Sequence, residues 1–159
     1  ISMNNLNYRI ATPEDLSQIW RVRLAVKENI LLDSDGVTDE VTIDYLTKRG
    51  RGWVCESENI IIGFSIVDLI DNSIWALFVH PDYENRGIGR HLQQLMLQWY
   101  FSQTDSPISL ETSAGTRAEG FYLKTGWTPV GRDLNGVVKF SINSLSWSQN
   151  HLFKYPVGG

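Results

Sequence analysis

Cysteine is nearly absent from this chain: Cys55 is the single thiol in 159 residues. One thiol closes no internal disulfide, so a core must hold the fold, and a reducing compartment is expected. No apolar run approaches the roughly 20 residues that a membrane-spanning helix needs. The N-terminus lacks the basic-then-apolar pattern of a secretion signal. A cytoplasmic location with no membrane partner is therefore expected. An excess of basic residues is missing too. Lys and Arg total 14 against 18 acids, for a formal net charge of -4, and this argues against a nucleic-acid partner. His80, His91 and His151 show no metal-ligand spacing, and one cysteine cannot build a zinc site, so no metal is expected. No G-x-S-x-G nucleophile elbow occurs. Cys55 falls in an apolar run and reads as packing rather than as a nucleophile.

What is present suits one folded domain, expected over residues 3–159 with Ile1-Ser2 set aside. Hydrophobic residues make up 42% and charged residues 20%, and six Trp, six Tyr and six Phe are ample for a core and a ligand cleft. Tyr8-Arg9-Ile10 alternates like a first strand. Thr12-Pro13-Glu14-Asp15 reads as a helix start, with a capping hydroxyl, proline at the first turn and two acids behind it. Leu16, Ile19, Trp20, Leu24 and Lys27 follow with helical spacing. Thr38-Asp39-Glu40 is a second helix start. Trp53 to Glu56, Ile60 to Asp68 and Ser73 to Val79 then read as strands, with a turn at Asp71-Asn72. After a Gly-containing loop, Ile88, Leu92, Leu95, Met96 and Trp99 form one apolar stripe of a helix. Asp105-Ser106-Pro107 ends it. A strand over Ile108 to Thr112 and a short helix over Thr116 to Lys124 come next, with Gly126 as the stop. Asn135-Gly136 predicts a hairpin between Trp127–Val130 and Val137–Ile142. The pattern is α+β. The aromatic tail from Ser144 has no assignment.

The loop at Glu84-Asn85-Arg86-Gly87-Ile88-Gly89-Arg90 lies between a strand and a helix. The first amides of a helix have no partner within it, and the helix dipole makes that end positive. A pyrophosphate can rest there. Gly87 and Gly89 allow the backbone to come close, and Arg86 and Arg90 add charge. A dinucleotide loop would need glycine where Leu92 stands, and a P-loop would need Lys-Ser or Lys-Thr. Neither is present. A bare G-x-G also serves as a plain tight helix entry.

The surrounding order distinguishes these readings. Leu77-Phe78-Val79-His80-Pro81 runs into the loop, and Ala118-Glu119-Gly120-Phe121-Tyr122-Leu123-Lys124-Thr125-Gly126-Trp127 follows downstream. Together these segments resemble the Gcn5-related N-acetyltransferase (GNAT) family, whose signatures are Q/R-x-x-G-x-G/A after a Val-x-Pro strand end and A-x-x-F-Y-x-x-x-G-F/W. The Tyr8–Asp15 run and the closing hairpin are similar as well, so the resemblance covers almost the whole chain. It departs where Glu84 replaces Gln or Arg. A carboxylate would repel a pyrophosphate, so the Glu84 side chain is expected to turn away and leave the binding to amides.

The resemblance implies a mixed, mostly antiparallel twisted sheet with helices on both faces. The strands Ser73–Val79 and Ile108–Thr112 would splay as a parallel central pair. It implies transfer of an acetyl group from acetyl-CoA to a primary amine by direct attack. Cofactor contacts would come from Leu77, Phe78, Val79, Asn85, Arg86, Gly87, Ile88, Gly89 and Arg90. Thr116 stands in where the family often has an Asn, since Gly115 occupies the Asn position. An N–H near Phe78 or Val79 would hold the oxyanion. Tyr122 would be the general acid. A phenol of pKa about 10 stays protonated at neutral pH and can protonate a departing thiolate whose thiol has pKa about 8.5. Taken alone, Tyr122 reads first as a core aromatic, since aromatic residues on helix faces usually pack. Glu111 is the first candidate base and His80 the second. Their plain readings are a solvent-facing strand residue and a strand-end residue, and a water chain would also serve. The resemblance leaves a homodimer open. A non-catalytic acyl-CoA-binding regulatory module, or a transferase for a longer acyl group, are the alternatives. The acceptor would be shaped by the 30–50 region.

Overall fold

The computed structural model describes residues 5–26 and 38–154, with side chains described as far as residue 149. The expectations that fall on Lys27, on residues 30–37 and on the tail beyond residue 154 lie outside these. The chain forms two compact units, Ile1–Tyr100 and Phe101–Gly159.

The first unit begins with β1 (Leu6–Ile10) and a 3-10 turn at Pro13–Asp15 that leads into α1 (Leu16–Ala25). The Asp15 carboxylate accepts the Thr12 amide at 2.8 Å and clamps the Arg9 guanidinium through both oxygens at 2.8 and 2.9 Å. Arg9 holds the Asp15 carboxyl below the usual carboxylate range. The buried residues of α1 are Ile19, Val22 and Arg23, whereas Leu24 is exposed. The expected stripe had counted Leu24 for its apolarity. The spacing 19-22-23 is the true helical face, and it carries an arginine that an apolar pattern passes over.

The Thr38 hydroxyl caps α2 (Asp39–Asp44) by accepting the Val41 amide at 3.2 Å, and the helix widens into a π turn at Tyr45–Arg49. Strands β2 (Gly50–Ser57), β3 (Ile60–Asp68) and β4 (Ser73–Val79) follow. Strand β2 starts three residues earlier than its apolar run suggested. Gly50 and Gly52 give no hydrophobic signal, yet both are tightly packed, and Gly50 fits only as a glycine. A Cβ on Gly50 would collide with the Val67 carbonyl, and one on Gly52 with Leu46. The order β1-β2-β3-β4 is antiparallel throughout.

Helices cover both faces of this sheet. Phe64 and Ile66 join Ile19 and Val22 of α1 in one apolar cluster. Gly63, which must face the other way by strand alternation, would place a Cβ 3.2 Å from Ile88 and Leu92 of α3 (Ile88–Gln103). On α3 the buried residues include Ile88, Leu92, Met96, Leu97 and Tyr100, while Leu95 and Trp99 are only half-buried.

In the second unit β5 (Ile108–Ser113), β7 (Val137–Ile142) and β6 (Thr128–Arg132) pair antiparallel in that order. Leu110 and Ile108 stand opposite Phe140 and Ile142, and all four are buried. Each such side chain contributes about 1.5–3 kcal/mol. The hairpin turn forms at Asp133–Gly136, with Gly136 at φ 80° and the Asp133 carboxylate accepting the amides of Asn135 and Val137. Helix α4 (Arg117–Lys124) packs on β5. The unassigned tail is helix α5 (Ser144–Lys154), begun by the Asn143 side chain, which accepts the Ser146 amide at 2.8 Å. The fold is α+β, as expected, with every described strand pair within a unit antiparallel.

Candidate functional site

The loop before α3 gets its shape from the signs of its backbone angles. Asn85 has φ 63° and Gly87 has φ 81°, with negative φ at Arg86 between them and at Ile88 beyond. Asparagine and glycine are the residues that enter the left-handed region most readily. Alternating signs roll successive N–H groups onto one concave side, which is the geometry of an anion nest. The helix ladder starts where the His91 amide donates to the Gly87 carbonyl at 3.0 Å. The amides of Ile88, Gly89 and Arg90 therefore precede the ladder and have no acceptor within the helix. Gly87 brings no capping side chain, and a Cβ built there would meet nothing within 4 Å. Arg86 lies with its guanidinium carbon 5.5 Å from the centre of the Tyr83 ring. Pyrophosphate fits the chemistry of these groups, which supply donors and positive charge.

His80 works beside the loop as a structural cap. Its Nδ1 accepts the Asp82 amide at 3.1 Å, and its ring meets Tyr83 edge-on. With Nδ1 accepting this amide, Nε2 is the ring nitrogen left for other contacts.

Strand β4 presents its amides alternately. The His80 amide donates to the Ile62 carbonyl of β3 at 2.8 Å. By the two-residue period, Phe78 also directs its N–H toward β3, whereas Leu77 and Val79 direct theirs away. Of the two amides expected near the oxyanion, only that of Val79 points off the β3 edge. Trp75 has no partner in the ladder, because Ala76 faces Ile66 and Ile74 faces Val67. This bulge re-aims the Trp75 ring. It stacks on Tyr45 at 4.1 Å, and Tyr45 opens the π turn. Neither irregularity leaves an apolar signature, so sequence reasoning missed both residues.

In the second unit the Tyr122 side chain projects from α4 into an aromatic nest. It lies edge-on to Phe121 at 5.2 Å and Trp127 at 5.5 Å, and tilted to Phe140 at 6.0 Å. Only 6% of the residue is exposed. Burial raises its pKa well above that of a free phenol, so it stays protonated across the neutral and mildly alkaline range.

Two residues of this unit have partners that narrow their use. The Thr116 hydroxyl donates to the Ser113 carbonyl at 2.7 Å and accepts the Glu119 amide at 3.3 Å. Its proton is committed to the Ser113 carbonyl, so toward a ligand the hydroxyl can act only as an acceptor. Glu119 completes the cap by accepting the Gly115 amide at 2.8 Å. Glu111 is exposed on β5, opposite Lys139 of β7.

Burial pushes the Cys55 thiol above its ordinary range, which keeps it neutral and poorly nucleophilic. Among the described residues no three His, Cys, Asp or Glu side chains gather as a metal site, and no helix is long and apolar enough to cross a membrane.

Comparison with known proteins agrees with this geometry. The model of the acetyltransferase (GNAT) family matches residues 16–127. Among solved structures, the chain is similar to the PaiA N-acetyltransferase of Thermoplasma acidophilum in complex with coenzyme A, with TM-score 0.74 and 15% identity over 87% of this chain and 98% of that one. It is similar to the ribosomal-protein-S18-alanine N-acetyltransferase of Escherichia coli, with TM-score 0.70 and 13% identity over 87% and 93%. It is also similar to a GNAT acetyltransferase of Staphylococcus aureus Mu50, with TM-score 0.72 and 19% identity over 87% and 98%. None of the curated proteins compared matches it. With the family model covering well over half its length, this chain belongs to the GNAT family of acetyltransferases.

Proposed function

We propose that this protein transfers an acetyl group from acetyl-CoA directly to a primary amine. The observation that carries this reading is Tyr122, a phenol packed among Phe121, Trp127 and Phe140 and kept protonated by burial. The nest before α3 supports it as a seat for the pyrophosphate of the cosubstrate, as does the relative whose structure holds coenzyme A.

In this reading, the amides of Ile88, Gly89 and Arg90 bind the pyrophosphate, and Arg86 and Arg90 add charge. The outward amides of Leu77 and Val79 pair with the pantetheine arm as a neighbouring strand would. The amine nitrogen attacks the thioester carbonyl carbon, and the Val79 N–H stabilises the negative oxygen that forms. The carbon–sulfur bond then breaks, and the Tyr122 hydroxyl gives its proton to the thiolate. The amine loses one proton to Glu111 or to water, and that proton restores the phenol. The products are the acetamide and free coenzyme A. Cys55, buried and neutral, has no part, so no acyl-enzyme forms on it.

Free thiol release measured with acetyl-CoA and a panel of amines tests the reading. Turnover that falls sharply in Tyr122→Phe supports it. Binding of acetyl-CoA without turnover on any amine would make the protein a non-catalytic acyl-CoA-binding module instead. Faster turnover with a longer acyl-CoA would change the donor.

A further inference from the structure

Arg23 of α1 is the one arginine among the buried residues described, and its guanidinium reaches across to β4. The carbon at its centre lies 5.5 Å from the Trp75 ring and 5.6 Å from the Phe78 ring, with Trp20 of its own helix at 5.7 Å. Side chains alternate along a strand, so residues 75 and 78 would ordinarily face opposite sides of the sheet. Here both pack against the α1 cluster, beside Ala76. The bulge is the reason. Val67 pairs with Ile74 and Ile66 with Ala76, which leaves Trp75 as the extra residue. Tyr45 of the π turn stacks on the Trp75 ring. Arg23 thus meets both the extra residue of the bulge and the residue just before Val79.

The bulge sets the phase of the strand that follows it. Phe78 pairs with Phe64 and Val79 with Gly63, and the His80 amide donates to the Ile62 carbonyl, so the Val79 amide points off β3. Without the extra residue, Trp75 would stand opposite Ile66, and Leu77 opposite Phe64. A slip of one residue turns every following group the other way. Phe78 would leave the α1 cluster. The Val79 N–H would turn into the β3 ladder, away from the oxyanion it is proposed to hold. Both rings reach one guanidinium only in the bulged register, so a cation over them favours that register. We infer that Arg23 is a positioning residue for acetyl transfer: it clamps the β4 bulge and so keeps the Val79 N–H aimed at the oxyanion. The inference rests on the acetyl-transfer reading and adds a residue that acts through Val79.

The test pairs kinetics with a reading at the Val79 amide itself. Arg23→Met keeps an apolar stem and removes the charge. Coenzyme A release, followed with whichever amine of a panel turns over fastest, should show kcat lower by roughly 10- to 100-fold, the cost of a misplaced oxyanion donor. KM for acetyl-CoA should rise by a smaller factor, because the nest before α3 is untouched. Arg23→Lys keeps a cation over the rings and should recover part of kcat. Amide NMR spectra of the labelled variants should show the signals of residues 75–79 moved in Arg23→Met and those of residues 87–90 in place. Melting temperatures check folding. If Arg23→Met does not fold, Trp75→Leu carries the same test from the other end of the clamp, with Trp75→Tyr as its rescue. Wild-type kcat in a folded Arg23→Met, or β4 amide signals that do not move, would overturn the inference while acetyl transfer stood. Equal kcat losses in Arg23→Met and Arg23→Lys, with signals moved throughout the first unit, would make Arg23 merely structural. No turnover of the wild type with any amine would overturn the acetyl-transfer reading and this inference with it.

Discussion

In the first unit, the groups proposed to hold the cosubstrate are amides. Their directions are set by a positive φ at Asn85, a positive φ at Gly87 and the start of the α3 ladder. In the second unit, the proposed chemistry rests on one side-chain oxygen, placed by the packing of Tyr122 against Phe121, Trp127 and Phe140. A backbone site tolerates many side-chain changes and is sensitive to any residue that cannot adopt the required φ. A side-chain site depends on one atom and on the shape that holds it. The two regions should therefore fail in different ways.

The largest effect is expected in the second unit. Tyr122→Phe keeps the ring and its contacts and removes only the hydroxyl. It should lower kcat by roughly 10²- to 10⁴-fold, the usual worth of a general acid. KM for acetyl-CoA and the melting temperature should stay close to wild type. Full turnover in this variant would remove Tyr122 from the mechanism and collapse the contrast.

Gly87→Ala probes the first unit. The position has open space, so no clash arises, but a Cβ at φ 81° costs about 1–2 kcal/mol. The loop should relax away from the nest, and KM for acetyl-CoA should rise roughly tenfold by the same energy while kcat changes little. Titration of acetyl-CoA under steady-state conditions reads this directly. An unchanged KM would show that the nest does not seat the cosubstrate.

Arg86→Ala and Arg90→Ala should act more weakly. Solvent screens partly exposed charges, so each should raise KM for acetyl-CoA by only about 0.2–1 kcal/mol equivalent, and less at high salt. A loss that salt does not reduce would mean the side chains, not the amides, carry the binding.

The smallest effect is on stability at high pH. Burial raises the pKa of Tyr8 and Tyr122, and that of Tyr100 is pushed up to about 12. The folded state therefore holds phenol protons that the unfolded chain releases near pH 10. This contribution is intact below pH 10 and is lost as pH rises through the folded values. Melting temperatures taken from pH 8 upward should begin to fall near pH 10, and Tyr122→Phe should fall less steeply. An equal fall in both would assign the loss to other groups.

Much of the fold could be read from local chemistry. The caps at Thr38 and Thr116, the Asn135-Gly136 hairpin and the long strand Ile60–Asp68 each have a cause within a few neighbouring residues. The loop before α3 was legible for the same reason, since glycine and the following apolar stripe determine where a helix can start. Less legible were the features that depend on a partner distant in sequence. Strand β2 begins at Gly50, where the Val67 carbonyl leaves no room for a side chain. The Thr116 hydroxyl read as a candidate ligand contact, but the Ser113 carbonyl takes its proton.

By itself, the sequence determined the order of most elements, the Gly-containing loop before α3 and the presence of a phenol at Tyr122, because propensity, capping and glycine freedom act over short range. Tertiary structure alone decided which face of α1 is buried and which β4 amide points outward. It also set the protonation of Tyr122 and gathered the rings around Arg23. Those properties come from burial and from hydrogen bonds between strands, and neither exists until distant segments meet.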